Sequence, residues 1–541
     1  MKKILTLAVA LAFFAPLSIQ SLEAQQTIPS GLQCGTTVED LQVISRNMLE
    51  LRDRFPVVVM PRAVSYIPVY FHLVSKTDGT GHVAEAKVLD MLCGWNAIYA
   101  NNGLEMQFYL KGFTYISSDA LYDAPRSFSG YNKMAASKKT DGMNIFLTNN
   151  CGDGTNPNEI VLAYYSNRSY TTDPEYANDW IVCNNNQVSS ATAGTIAHEA
   201  GHLFSLPHTF NGFECNAFHP TTASPCAPLS INCNGVNYEV EKADASNGNT
   251  AGDYFSDTPA DYNFGITEGV DWRYNSANPC VYNGIGKDPS CAALNPSAKN
   301  LMSYFLDCIS LFSAKQKVAI QNNYLNHAKR AYLRNGNITP SLVDLTAATL
   351  TTPAVGSTTV NFNNFNLAWN AVSGATGYIV DISKFASFLN SRSFLTTAAA
   401  ININSTLFDA TFTLSSGTKY YWRVRAYNTY KTCNVTSTTS NFTTGTANAV
   451  AEIQGISQFV VAPNPLSKSA ALTLNLTSET AFEANVKLLN VAGQLVFSEK
   501  RAFTAGSSAQ NIAASGLQNG IYILQIESAK GVLNKKIVVQ D

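Results

Sequence analysis

The stretch TIAHEAGHLFSLPHTF, Thr195 to Phe210, places three of the chain's seven histidines within eleven positions. Residues four apart lie on one face of an α-helix, so His198 and His202 can reach one metal ion together. Glu199 is rotated by about 100° from His198 and lies beside that ion without being a required ligand. His208 adds a third imidazole if the helix ends soon after His202, which leaves a fourth tetrahedral position open for water. This stretch therefore predicts a reactive zinc site; the alternative is a histidine-rich helix that only packs or faces solvent.

Two further motifs follow in order, SDTP at Ser256 to Pro259 and NLMSY at Asn300 to Tyr304. Together with HExxHxxxxxH they resemble the pappalysin family of metzincin zinc metallopeptidases, over about residues 63 to 333. The resemblance implies that Met302 is the Met-turn residue beneath the zinc site. It also implies that Tyr304 is the metal-proximal tyrosine, a candidate hydrogen-bond donor to the developing oxyanion. Without the histidines, Met302 reads as an ordinary core methionine, and the alternative for Tyr304 is a packing residue.

The chain departs from the metzincin consensus at Ser205, where that consensus has glycine. A residue with a β-carbon costs about 1 kcal/mol or more in a left-handed conformation, so the turn is expected to be strained or built differently. Pro207 stiffens the approach to His208.

The family also blocks its zinc with a pro-segment cysteine, and Cys34 in the sequence CGTT matches that form. A thiolate would hold the water position until the pro-segment is cut, which implies latency. The alternative is that Cys34 pairs with Cys93 or another cysteine.

The resemblance further implies a calcium site and a specificity residue. Asp253, Asp257 and Thr258 offer hard oxygen ligands for Ca²⁺, although a solvated acidic loop explains them as well. Asp307, directly before Cys308, is expected to favour Arg or Lys after the scissile bond through a charge-assisted contact. The alternative is an apolar pocket formed by neighbouring residues 305 and 306.

The amino terminus and the cysteines both indicate export. Lys2 and Lys3 precede an apolar run to about Leu17, too short for a membrane span, which predicts a signal peptide. The eleven cysteines include a dense group from Cys215 to Cys308 that indicates a disulfide framework. Because the total is odd, one thiol must lack an internal partner, and the isolated candidates are Cys34 and Cys433.

At 541 residues the chain is too long for one hydrophobic core. The predicted fold class is an α+β metzincin-like catalytic domain followed by two all-β sandwich domains. Trp369, Gly377, Tyr378 and the strand at 420 to 428 resemble a fibronectin type III module. Pro463 to Pro465, Gly520, Tyr522 and the final strand at 535 to 538 resemble the C-terminal sorting domain of the type IX secretion system; the alternative is a plain adhesive β-domain. The predicted segments are a signal peptide at 1–24, a pro-segment at 25–61, a peptidase domain at 62–336, a fibronectin type III-like sandwich at 340–445 and a sorting domain at 459–541.

A net charge of −2 without any dense basic run argues against nucleic acid or an anionic membrane as the main partner. The expected function is a secreted or cell-surface zinc endopeptidase that cleaves proteins or peptides through a zinc-activated water, with Glu199 as general base. Its other expected partner is the type IX secretion machinery, and no transmembrane segment is expected. Two alternatives stay open: an inactive surface adhesin with a vestigial metzincin domain, and a zinc hydrolase that acts on a non-peptide bond.

Overall fold

The computed structural model describes residues 33–540, except for 57–62, 156–160, 168–177, 216, 219–225, 264–265, 268–269, 272–279, 283, 306–307, 336–342, 362–363, 405–406, 408–412, 432, 434, 446–452, 454, 469, 492, 514–515 and 529–530. The described chain divides into two compact units, residues 1–340 and 341–541. The predicted signal peptide and Asp307 lie outside the described residues. No helix within the described ranges is both long enough and apolar enough to cross a membrane.

A six-stranded sheet organises the first unit. Its strands are β1 Gln33–Cys34, β2 Ser65–Ser75, β3 Met106–Ser117, β4 Met143–Thr148, β5 Val161–Ser166 and β6 Trp180–Asn184. Their spatial order is β1-β5-β6-β4-β2-β3. The β5 and β6 strands are antiparallel, and all other neighbours are parallel. A strand from the predicted pro-segment, β1, therefore forms one edge of the catalytic sheet.

Helices cover both faces of this sheet. They are α1 Val38–Arg54, α2 Glu85–Asn101, α3 Asp119–Asp123, α4 Phe128–Ser137, α5 Ala193–Leu203, α6 Ala314–Asn326 and α7 Ala331–Arg334, with short 3-10 turns at Asn185–Gln187 and Ala328–Arg330. The main core joins α1, α2, α5 and α6 to one face, and a smaller core joins α3 and α4 to the other. The alternation along β2 sets these faces, because Ile67, Val69 and Phe71 enter the main core whereas Val74 enters the smaller one.

The helix in the predicted pro-segment is an integral part of the main core. In α1, Leu41, Ile44 and Met48 are each at most 2% exposed. Burying each such side chain stabilises the folded state by about 1.5–3 kcal/mol, so removing the segment uncovers a substantial apolar surface. These residues, three and four positions apart, form one packed face of the helix.

A buried ion pair fastens the carboxyl end of the first unit to the sheet. Arg330 and Asp179 are 1% and 3% exposed, and the Nη1 of Arg330 lies 2.5 and 2.6 Å from the two carboxylate oxygens. The same guanidinium donates to the carbonyl of Leu203, the last residue of α5. Removing one partner of such a pair typically costs about 3–5 kcal/mol, because the other charge is left buried and unpaired.

The rest of the described structure is β-strand and loop. Two short hairpins complete the first unit, β7 Ser230–Cys233 with β8 Val236–Glu239, and β9 Ile266–Thr267 with β10 Val270–Asp271. The second unit is an all-β region with several sheets. Its strands are β11 Leu350–Thr352, β12 Ser357–Val360, β13 Asn364–Trp369, β14 Gly377–Ser383, β15 Arg392–Thr396, β16 Ala400–Asn404, β17 Lys419–Tyr427, β18 Val435–Thr436, β19 Ser440–Thr444, β20 Ile456–Ala462, β21 Ala471–Ser478, β22 Phe482–Asn490, β23 Leu495–Phe503, β24 Gly506–Ala513, β25 Gly520–Ser528 and β26 Gly531–Val539.

These strands build two separate pairs of sheets, each around its own apolar core. The first pair is β11-β13-β16 with β12-β19-β17-β14-β15, where β18 pairs with β17. The second pair is β20-β21-β24 with β23-β22-β25-β26. The predicted domain limits stay predictions.

The cysteines correct one expectation from the sequence. The dense group forms three disulfides, Cys215–Cys233, Cys226–Cys291 and Cys280–Cys308. Cys93 and Cys433 are also disulfide-bonded, so the expectation that Cys433 is an isolated thiol is wrong. The free cysteines are Cys34, Cys151 and Cys183, and the last two are buried. Parity required at least one free thiol, and it could not reveal that two more cysteines are buried without a disulfide.

Candidate metal centre

The three histidines of the motif converge because α5 ends directly after His202. His198 and His202 lie one turn apart on α5, with ring centroids 4.8 Å apart. The chain then reverses at Ser205, which has a φ of 66°. This turn brings the ring of His208 to 4.6 Å from that of His202. The three rings are at most 4% exposed, so they form one buried cluster.

The backbone around the site sets the protonation of the two helical histidines. Nδ1 of His198 lies 2.6 Å from the carbonyl oxygen of Leu301, and Nδ1 of His202 lies 2.8 Å from that of Leu206. A carbonyl oxygen can only accept, so each Nδ1 carries the hydrogen and each Nε2 keeps a lone pair. Both Nε2 atoms are thereby prepared as metal ligands.

A carboxylate orients the third histidine. Nδ1 of His208 lies 3.4 Å from Oε1 of Glu214, and the backbone N–H of Gly212 donates to the other carboxylate oxygen at 2.6 Å. Burial raises the pKa of Glu214 to about 7. A carboxylate behind a metal-bound imidazole selects its tautomer and raises its basicity. Glu214 occupies that position for His208.

The cluster fits a bound cation better than it fits three free imidazoles. The Nε2 atoms of His202 and His208 are 3.1 Å apart, and Nε2 of His198 is buried without a partner among the described residues. Burial lowers the pKa of all three rings, to about 4 for His198, so they stay neutral. Lone pairs that face one another in a dry site need a positive centre between them. Three neutral imidazoles are a donor set that zinc prefers.

The thiol of Cys34, in the predicted pro-segment, lies in the same cluster. Cys34 Sγ lies 3.6 Å from Nε2 of His202, and ligand atoms of Cys34 and the three histidines all lie within 4.8 Å of one another. Burial, and next the charge of Glu199, raise the pKa of the Cys34 thiol. A bound cation would oppose both effects and stabilise the thiolate.

Thr36 contacts the predicted general base directly. Its hydroxyl donates to Oε2 of Glu199 at 3.3 Å and accepts from the backbone N–H of Tyr165 at 3.0 Å. Glu199 is 1% exposed, and burial raises its pKa to about 8. Cys34 and Thr36 therefore engage the metal cluster and the base together.

Met302 and Tyr304 lie against the cluster from below and from the side. A β-carbon on Gly201 would come within 2.5 Å of Met302 Sδ, so this sulfur lies directly against α5 between the two helical histidines. The hydroxyl of Tyr304 donates to the carbonyl of Cys34 at 3.2 Å, and its ring centroid is 5.1 Å from that of His208. The phenol thus contacts the backbone of the predicted pro-segment.

The residues expected to bind calcium do not lie together: Asp253 and Thr258 are buried, whereas Asp257 is at the surface. Asp253 is fully buried and accepts from the hydroxyl of Thr258 at 2.7 Å. Asp257 is exposed, and it accepts from the Ser313 hydroxyl and the Lys315 N–H at the start of α6. It serves there as a helix-capping residue.

Glu241 is a further buried acid beside Asp253. It is 2% exposed, and neither of its carboxylate oxygens has a partner among the described residues. Burial, followed by the charges of Asp253 and Asp261, raises its pKa strongly. A buried carboxyl of this kind is either protonated or neutralised by a cation.

The sequence reasoning missed Thr36, Glu214 and Glu241. Thr36 lies inside the CGTT motif, so a search for partners of Cys34 could have included it. Glu214 and Glu241 belong to no spacing pattern, because the loop that carries them is folded by disulfides and tertiary contacts.

Comparisons with known proteins agree with this geometry. Residues 71–251 match the model of metallo-peptidase family M12, and residues 460–540 match the secretion system C-terminal sorting domain. The chain contains a metallopeptidase domain. It also carries a type IX sorting domain at its carboxyl end, which makes it a secreted or cell-surface protein. M12 metallopeptidases use zinc, in agreement with the histidine cluster.

One curated relative is an extracellular metalloprotease of Sordaria macrospora. It is 26% identical over 314 residues, which are 54% of this chain and 87% of the relative. Solved structures with local similarity include dimeric latent PorU from Porphyromonas gingivalis, at 13% identity over 38% of this chain and 21% of that one, with a TM-score of 0.14. Another is the set of fibronectin(III)-like modules of Clostridium thermocellum CbhA, at 12% identity over 36% and 92%, also with a TM-score of 0.14. Scores this low carry no argument about the fold.

Proposed function

We propose that this protein is a secreted zinc endopeptidase of the pappalysin type that is synthesised in a latent form. The supporting observation is the convergence of three buried, neutral imidazoles whose Nδ1 atoms are all engaged elsewhere, with Glu199 beside them. This arrangement leaves three Nε2 atoms for one ion and keeps a carboxylate near it.

The reaction uses this chain's residues in separate roles. His198, His202 and His208 hold zinc, which when bound supplies the Lewis acidity that polarises a peptide carbonyl and acidifies a water. Glu199 takes the proton of the attacking water and passes it to the leaving amine. Tyr304, freed from the carbonyl of Cys34, donates to the developing oxyanion.

The latent state follows from the contacts of the CGTT segment. The sulfur of Cys34 takes the position that the attacking water needs. The hydroxyl of Thr36 donates a hydrogen bond to Glu199, and the backbone carbonyl of Cys34 accepts one from Tyr304. One short segment thus contacts the metal ligands, the general base and the oxyanion donor together. Its removal frees all three for the reaction.

Substrate recognition and accessory roles extend the proposal. A preference for Arg or Lys after the cleaved bond, expected from Asp307, stays a prediction. Residues 340–445 are proposed to form a fibronectin type III-like module that follows the peptidase domain.

Calcium is the proposed occupant of the buried acidic cluster, with Asp253, Thr258 and Glu241 as ligands. The unpartnered carboxylate oxygens of Glu241 carry this assignment, because Ca²⁺ takes oxygen ligands and would neutralise the buried charge. We expect Ca²⁺ to raise the thermal midpoint of the purified protein relative to a chelated sample, and Glu241→Gln to abolish that rise. Asp244→Asn, at an exposed acid in the same loop, is the control. An equal rise in both variants would rule out this site.

Casein and gelatin degradation by the processed protein tests the main proposal. We expect activity that a chelator removes and zinc restores, with one zinc per chain by metal analysis. Glu199→Ala should retain zinc and lose activity by about 10²–10⁴-fold or more, because it removes the base and no ligand. His202→Ala should lose both zinc and activity. Glu105→Ala, at an exposed glutamate of the same unit, should keep both. Zinc binding without turnover in the wild type would instead favour an adhesin.

A further inference from the structure

A cavity of about 360 Å³ lies between the pro-segment and the catalytic sheet. The pro-segment contributes Thr37, Glu39 and Asp40 to its wall. The catalytic side contributes aromatic, aliphatic and polar residues: Pro125, Arg126, Tyr131, Met134, Tyr164, Ser166, Asn178 and Trp180. None of the residues on the catalytic side is acidic, so both carboxylates of the described wall leave with the pro-segment.

Three residues on the catalytic side carry buried polar atoms without a partner among the described residues. These atoms are Nη2 of Arg126, Nε1 of Trp180 and Oδ1 of Asn178. Asn178 and Trp180 are only 4% and 1% exposed. Unpaired buried donors and acceptors cost about 1–3 kcal/mol each, so a wall that keeps three of them is suited to receive a polar ligand.

Arg126 is held in place and points to the path of the pro-segment. Its Cζ lies 4.4 Å from the ring centroid of Tyr164, in cation-π contact. A β-carbon on Gly35 would come within 2.1 Å of Arg126 Nη2. Gly35 directly follows Cys34, so the guanidinium lies against the chain at the point next to the metal cluster. Any residue except glycine at that point has to engage or displace Arg126.

The segment that contains Cys34 and Gly35 runs as an extended chain beside β5 and past Arg126. Cys34 pairs with Ala163 of β5, and the N–H of Gly35 donates to the Ala163 carbonyl at 2.7 Å. When β1 leaves, β5 becomes an edge strand with unpaired backbone groups, which is a template for an extended peptide. A peptide on β5 passes beside Arg126 as Gly35 does now.

We propose that the cavity becomes a substrate subsite after the pro-segment leaves, and that Arg126 there selects peptides with an acidic side chain. The inference rests on the proposed peptidase function. A carboxylate accepts a charge-assisted hydrogen bond from Nη2 of Arg126, while the rings of Tyr164 and Trp180 contact its methylene groups. Arg126 thus acts as a specificity-determining residue distinct from the metal centre.

Cleavage of matched peptides by the processed protein tests the subsite. A library first locates the position at which acidic residues are enriched, and a series then places Glu, Gln, Leu or Lys there. We expect kcat/KM for the Glu peptide to exceed that for the Gln peptide by about tenfold or more, the usual value of a charge-assisted bond. Arg126→Gln should bring the ratio near one, and Arg126→Lys should keep part of it.

A matched control separates this effect from a general loss of positive charge. Lys76 also lies over a tyrosine ring, 5.9 Å from the centroid of Tyr122, but it does not line the cavity. Lys76→Gln should leave the Glu-to-Gln ratio unchanged. A wild type without acid enrichment, or a ratio that Arg126→Gln leaves intact, would overturn the proposal.

Peptide binding distinguishes failure of the subsite from failure of the peptidase proposal. The Glu199→Ala protein, freed of its pro-segment by limited proteolysis, can be titrated with the Glu and Gln peptides while tryptophan fluorescence is followed. Trp180 in the cavity wall, one of the chain's five tryptophans, contributes to that signal. Preferential binding of the Glu peptide supports the subsite even if no substrate is cleaved. Equal binding of the two peptides argues against it.

Discussion

Ser205 shows how one residue adapts the turn that delivers the third histidine. The sequence predicted strain or a different construction where the consensus has glycine. The structure keeps the left-handed turn, with a φ of 66°, and buries the serine hydroxyl. That hydroxyl accepts a 2.6 Å hydrogen bond from the amide of Asn323, on α6. A tertiary contact thus offsets a local backbone cost, and no local pattern could have revealed it.

Substitutions at Ser205 should separate the cost of the backbone strain from the contribution of the hydrogen bond with Asn323. Ser205→Gly relieves the backbone strain, worth about 1–2 kcal/mol, but leaves the Asn323 amide unsatisfied, which costs about 1–3 kcal/mol. Ser205→Ala keeps the strain and also loses the bond. We expect the free energy of unfolding to fall in the order wild type, Gly variant, Ala variant, as measured by denaturant titration. An alanine variant as stable as the wild type would show that the hydrogen bond contributes nothing.

Glu214 should act on zinc affinity through His208. Glu214→Gln keeps the shape of the side chain but removes the charge that faces Nδ1. We expect zinc affinity to fall by about 10- to 100-fold, the usual effect of losing such a partner, as measured by competition with a chromogenic chelator. Glu239→Gln, at an exposed glutamate of the same loop region, is the control. Unchanged affinity in Glu214→Gln would limit this carboxylate to a packing role.

At the scale of elements, β1 and the start of α1 form the unit that is proposed to block the site. The strand positions Cys34 at the histidines, and α1 anchors the strand through its buried face. The hydroxyl of Thr37 accepts a hydrogen bond from the backbone N–H of Asp40, so Thr37 caps the amino-terminal end of α1 where the strand leads into the helix. Latency is therefore expected to depend on both a chemical contact and a packed helix.

Precursor variants should resolve these contributions. Cys34→Ala removes the sulfur from the metal cluster, and we expect the unprocessed precursor to leak activity on a quenched peptide. Thr36→Val removes the hydroxyl from Glu199 and should leak less, because the sulfur still excludes water. Thr37→Val, which removes the helix cap but keeps Cys34 and Thr36, is the comparison. A silent Cys34→Ala precursor would show that α1 packing alone blocks the site.

Local patterns predicted the core of the site, and long-range contacts explain most of what they missed. Helical spacing predicted that His198 and His202 lie on one face, as they do on α5. The positions of Arg126 and Glu241 depend on loops and on segments far apart in the chain. Sequence spacing carries no information about such contacts.

At the scale of the whole molecule, the terminal strands β20 to β26 form a unit with a separate apolar core. This separation predicts that deletion from about residue 459 onward leaves catalysis by the processed protein intact and stops surface delivery. Fractionation of cells that express the truncated chain, with activity measured in each fraction, checks both parts. Full-length protein is the control, and normal export of the truncated form would remove the sorting role.

The pairing of β1 with β5 also affects the tendency of the protein to aggregate. While β1 is present, it pairs with Val161 and Ala163 on one side of β5, and β6 pairs with the other side. The proposed removal of the pro-segment would expose free N–H and C=O groups of β5 next to newly uncovered apolar surface, and such edges recruit other strands. In the proposed latent form the pro-segment would cover this edge, so the mature form is expected to be the more aggregation-prone of the two.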